Sequence, residues 1–68
     1  MPTDTDYQTT PGPDLKAQRV AAGVAAKDLA ARLGMSYPNL WRLERSQAVP
    51  VLRARQYATA LRELVEAA

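Results

Sequence analysis

Sixty-eight residues with neither cysteine nor histidine make at most one small domain, without disulfides, thiol chemistry, the usual zinc ligands or the commonest general base. No apolar run approaches a membrane span and the N-terminus is polar and acidic, unlike a signal peptide, so a soluble cytoplasmic protein without a membrane partner is expected. The net charge of +2 is unevenly spread: Asp4, Asp6 and Asp14 lie in the first fourteen residues, which carry no Lys or Arg, so residues 15–68 hold nine basic groups against four acidic ones, a balance that suits an anionic partner.

Residues 1–13, MPTDTDYQTTPGP, hold Thr, Asp, Pro and Gly without an apolar period and read as a disordered acidic arm. Residues 14–68 then make the folded domain, rich in Ala, Leu and Arg and poor in β-branched residues, so helices are expected. The first helix is predicted to start with Asp14 as its N-cap and to end near Gly23, with Leu15 and Val20, and Gln18 or Ala22, on its inner side. The second is predicted over residues 26–33, AKDLAARL, stopping at Gly34. The third covers residues 36–45, SYPNLWRLER, capped by Ser36, or by Tyr37 if Pro38 takes the first helical position. Because a residue before proline avoids the α region, Tyr37 is slightly favoured as the cap.

The fourth helix is predicted from near Val51 to Glu66. Val51, Ala54, Ala58, Leu61 and Val65 form its buried stripe, with Tyr57, Ala60 and Leu64 beside it. That is more apolar width than a domain of this size obviously needs. Tyr57, Leu61, Leu64 and Val65 are therefore candidates for a homodimer interface; the alternative is that Tyr57 and Leu64 complete the core.

Between the second and third helices the spacing is more restrictive. Leu29 and Leu33 face inward, Ala30 is small where the third helix crosses, Gly34 permits a left-handed turn, Met35 plugs the corner, and Leu40 and Leu43 anchor the third helix. This is the pattern of a helix-turn-helix, whose second member is held out toward a DNA major groove. Trp41, the only tryptophan, falls about 100° from Leu40 on a helical wheel, on the side shared by Pro38, Arg42 and Arg45. The alternatives are that Trp41 packs against the fourth helix, with the wheel misread by one position, or that an exposed Trp–Arg patch binds protein.

The stretch LKAQRVAAGVAAKDLAARLGMSYPNLWRLERSQAVP resembles the lambda-repressor-like (Cro/repressor, XRE-type) helix-turn-helix family. The resemblance runs from about Leu15 to Leu61 and includes Arg19, the Leu29-Ala30 pair, the Gly34-Met35-Ser36 turn and Leu43-Glu44-Arg45. It implies an all-α fold, a compact four- to five-helix bundle, and a structural ion pair between Arg19 and Glu44. It also implies that Tyr37, Pro38, Asn39, Trp41 and Arg42 supply base contacts. Lys27, Ser36 and Arg45 are better placed for phosphates. The chain departs from the family at Ala25 and Ala26, where Ser-Gln is usual, and at Ser46, where glycine is common. The segment after Pro50 is one residue shorter than usual. The alanines cannot hydrogen-bond through their side chains, which removes the usual second-helix contact.

The function implied is a small Cro-like transcriptional repressor of phage or prophage type, a homodimer on a double-stranded DNA operator. No cofactor, metal or small-molecule ligand is expected. Other readings are a protein-interaction module, such as an antitoxin or anti-repressor with a protein partner, and an excisionase- or MerR-like winged helix, which needs a β-hairpin after Arg45. An enzyme is not expected: no phosphate-cradling glycine loop or carboxylate cluster is present, and Glu63 and Glu66 lie near Arg62 on a helical face.

Overall fold

Two prolines set where the first helix begins. The structure, a computed structural model, describes residues 9–67 and runs β1 (Thr9–Thr10), α1 (Gly12–Ala21), α2 (Ala26–Leu33), α3 (Tyr37–Arg45), β2 (Val49–Pro50) and α4 (Val51–Ala67). Pro11 caps α1 in an extended conformation and Pro13 lies in its first turn. Neither position needs a backbone N–H, so the helix starts two residues before Asp14, the N-cap expected from the sequence. Asp14 is instead a first-turn residue.

The predicted arm therefore divides. Residues 1–8 lie outside the described residues. Residues 9–13, expected to be disordered, form β1 and the opening of α1. Thr9 lies opposite Pro50 and Thr10 opposite Val49, in antiparallel register. Gly12 N–H donates to the Ser46 carbonyl at 2.6 Å. A Cβ on Gly12 would lie 2.7 Å from both the carbonyl carbon and the carbonyl oxygen of Glu44, and closer still to the Leu43 carbonyl oxygen. Only glycine lets the first turn of α1 rest against the end of α3 this closely.

Within α1 the inward residues are Gly12, Leu15 and Arg19. Val20, expected on the inner side, is 60% exposed, and Gln18 and Ala22 are exposed too. Arg19 takes the position one turn after Leu15, because its guanidinium has partners inside. Helix α2 has the predicted bounds. Leu29 and Ala30 are buried and Gly34 ends the helix with φ 72°. Met35 N–H then bonds to the Ala30 carbonyl at 3.0 Å, which closes the turn into α3.

At the start of α3 the Ser36 side chain accepts the Asn39 N–H at 3.3 Å. The cap is thus Ser36 and not Tyr37, which is the first helical residue with Pro38 in the first turn. A serine oxygen satisfies a helix-start amide that Tyr37 could not.

Helix α4 buries Tyr57, Ala60 and Leu61, with Ala54 and Leu64 packed against the core. Ala58 is exposed and Val65 is 47% exposed, so the buried stripe is turned from the predicted one toward Tyr57. Of the dimer candidates, Tyr57 and Leu61 belong to the core and Leu64 packs on it. Only Val65 offers open surface. The wing expected in the winged-helix alternative is not formed: the two residues of β2 pair with β1, and Val51–Ala67 is helical.

The result is an all-α fold of four helices with one short strand pair among the described residues. Its core joins Leu15 of α1, Leu29 and Ala30 of α2, Leu40 of α3, Val49 of β2 and Tyr57, Ala60 and Leu61 of α4. Among the described residues no helix is long and apolar enough to cross a membrane.

Candidate nucleic-acid interface

Helix α3 is amphipathic by residue order alone. Leu40 is fully buried, Glu44 is buried and Leu43 packs against the core. The opposite side presents Pro38, Trp41, Arg42 and Arg45, all exposed, at i, i+3, i+4 and i+7. Tyr37 and Asn39 are exposed near its N-terminal end. Trp41 is 49% exposed, so it does not pack into the core against α4. The Arg45 guanidinium carbon stands 4.5 Å from the Trp41 ring centroid. That stacking holds the cation along the helix surface through the ring's negative face, and it leaves the guanidinium N–H groups at the edge available to oxygen acceptors.

Pro38, Trp41, Arg42 and Arg45 thus share one exposed face of α3, with Tyr37 and Asn39 exposed on its two flanks and Ser36 exposed at its cap. Lys27 is exposed on the first turn of a different helix, α2. The N-cap of α2 is Ala25, which makes no side-chain capping bond.

Behind this surface lies a buried polar cluster that fixes how α3 sits. Arg19 Nε donates to Glu44 Oε2 at 2.7 Å and Nη2 donates to Oε1 at 3.2 Å, while Nη1 donates to the Val24 carbonyl at 3.0 Å. The Tyr57 hydroxyl donates to Glu44 Oε2. One carboxylate therefore links α1, α3 and α4. Arg19–Glu44 is the ion pair that the family resemblance implies; Tyr57 is a third member that the sequence did not reveal. A buried tyrosine needs a partner for its hydroxyl, but nothing in the spacing identifies Glu44 as that partner. Burial pushes the Tyr57 phenol well above its ordinary pKa, and the bond to the Glu44 carboxylate adds to the shift. The hydrogen bond to Glu44 raises Arg19 above its ordinary value, against the opposing effect of burial. No buried side-chain nitrogen or oxygen among the described residues lacks a partner, and this condition makes a buried charge tolerable.

A second basic residue beside Arg42 was also missed. Asn39 and Arg42 of α3 and Arg53 of α4 border a groove of about 530 Å³, with Met35, Leu43, Val49 and Pro50 in its lining. Arg53 lies eleven positions beyond Arg42 in sequence but on a different helix; only the α3–α4 connection brings them to one groove. The exposed Arg32–Glu63 pair, 2.8 Å apart, ties α2 to α4 and contributes little in solvent. Among the described residues no group of three or more Asp or Glu side chains is arranged to hold a metal ion.

Compared with protein-family models, curated proteins and solved structures, the chain gives no match.

Proposed function

We propose that this protein is a sequence-specific DNA-binding transcriptional regulator, a small repressor similar to the lambda-repressor-like family, with α2, the Gly34–Ser36 turn and α3 acting as a helix-turn-helix. The observation that carries the reading is the orientation of α3: Leu40, Leu43 and Glu44 turn inward while Trp41, Arg42 and Arg45 stand free on one surface. An α-helix fits a major groove, and the basic excess of residues 15–68 suits a phosphate-lined partner.

In this reading Arg42 takes the O6 and N7 of a guanine and Asn39 pairs with an adenine edge. Tyr37, Pro38 and Trp41 pack on thymine methyls or sugar. Lys27, Ser36 and Arg45 hold phosphates. The Arg19–Glu44–Tyr57 cluster supplies the rigidity that groove docking needs. A homodimer would present two copies of α3 about 34 Å apart to a near-palindromic operator.

The test is selection of bound sites from random duplex DNA at a fixed, stated salt concentration, followed by sequencing. Enrichment of one motif that weakens on Arg42→Ala supports the reading; retention without any enriched motif overturns it. The exposed Trp–Arg pair also supports a second reading, a surface for a protein partner such as a toxin or anti-repressor, since both residue types are frequent in interface hot spots. Trp41→Ala that abolishes co-purification of a partner while leaving DNA retardation intact would favour it.

A further inference from the structure

The groove between α3 and α4 lies beside the place where the chain leaves the described structure. Thr9 is paired across from Pro50, and Pro50 itself lines the groove, together with Arg42 and Arg53 on its border and Leu43 and Val49 in its lining. Among the described residues neither arginine pairs with a carboxylate. The eight residues before Thr9 carry Asp4 and Asp6, an aromatic Tyr7 and no Lys or Arg. Asp6 is three residues from Thr9, a reach of up to about 10 Å, and Asp4 is five, up to about 17 Å.

We propose that the acidic segment Met1–Gln8 docks in this α3–α4 groove, its two aspartates against Arg42 and Arg53. Thr9, to which the segment is joined, lies opposite Pro50, and the first turn of α4, with Arg53, follows directly after Pro50. The apolar lining receives Tyr7, and the aspartates supply oxygens where phosphate oxygens would otherwise lie. The docked segment is then an internal competitor: it screens Arg42 from any duplex, and only a site with good base contacts displaces it. It lowers affinity for random DNA more than for a cognate site, which widens discrimination. The docking stands without the DNA-binding reading; the competition rests on it.

The test uses the full chain. With no native cysteine, Thr5→Cys carries a single nitroxide, and amide broadening is compared between this protein and the same protein with Asp4→Asn and Asp6→Asn. Docking is expected to broaden Asn39, Arg42 and Arg53 strongly, and the double substitution or added salt to relieve most of it. Equal broadening in both proteins, strongest broadening around Lys16 and Val20 on the α1 side, or broadening transferred to an unlabelled copy in a mixture would each overturn it. In the second arm of the test, the neutral segment is expected to tighten binding to random-sequence duplex by roughly threefold to tenfold. If neither protein retards DNA at low salt, the DNA-binding reading fails, while the relaxation result still decides the docking. If both bind random DNA equally, the competition is overturned.

Discussion

Tyr57→Phe isolates the contribution of one hydroxyl to the cluster that holds α3. The ring is fully buried and phenylalanine keeps its packing, so the change removes the bond to Glu44 Oε2 and little else. A hydrogen bond to a charged acceptor contributes about 1.5–3 kcal/mol. A domain of this length is stable by roughly 3–10 kcal/mol, so the loss is a large part of the whole. Urea unfolding followed by far-ultraviolet circular dichroism is expected to show a midpoint lowered accordingly, with an unchanged slope. The substitution also leaves a pH signature. The folded phenol titrates above its ordinary value of about 10, so its contribution is fully present below pH 10, where both states hold the proton. Above that the unfolded chain releases the proton first, and stability falls with rising pH, by at most about 1.4 kcal/mol per unit, until the folded phenol ionises too. Tyr7 and Tyr37 remain in the variant, which makes it the control: the extra loss between about pH 10 and 11 is expected to vanish in Tyr57→Phe. A variant as stable as the parent at pH 7, or one with the same alkaline slope, would refute the claim that this hydroxyl supports Glu44.

Gly12→Ala is expected to destabilise by about 1–3 kcal/mol, measured by the same unfolding, because the new methyl meets the Glu44 carbonyl at 2.7 Å and the α1–α3 contact must open. Leu40→Ala is expected to cost about 2–5 kcal/mol through a cavity at a fully buried site; a change under about 1 kcal/mol would place α3 in a different rotation. On a selected operator, Arg42→Ala is expected to lose about 1–3 kcal/mol and to relax preference at one base pair, read by competition against single-base variants. Lys27→Ala is expected to weaken operator and random DNA alike and to flatten the salt slope by about one, read by titration at several salt concentrations.

What could be read from residue order was local. The bounds of α2 follow from its short periodic run and Gly34, and the exposure of Trp41 follows from its angle to Leu40 and Leu43. The true start of α1 is not legible because residues 1–13 show no apolar period, while a cap and a first turn both tolerate proline. The pairing of β1 with β2 leaves no trace in the sequence, because two-residue strands are too short to show alternation. On α4 the sequence offers an aliphatic stripe through Ala58 and Val65 and another through Tyr57, and the reason for the actual rotation, a carboxylate thirteen positions upstream, is not local. The Arg19–Glu44 bond is implied by a family resemblance alone, since the two residues stand twenty-five positions apart on different helices. Arg53 reached the candidate surface only through the path of the α3–α4 connection.

The contact at Gly12 has an electrostatic consequence. The first amide of α1 points at the last carbonyls of α3, through the bond from Gly12 to Ser46, so the positive end of one helix dipole meets the negative end of another. This join is attractive in itself, and it leaves α1 with no free amide end to offer an anion. A negatively charged partner is then met by side chains, and on α3 these are the arginines beside the indole.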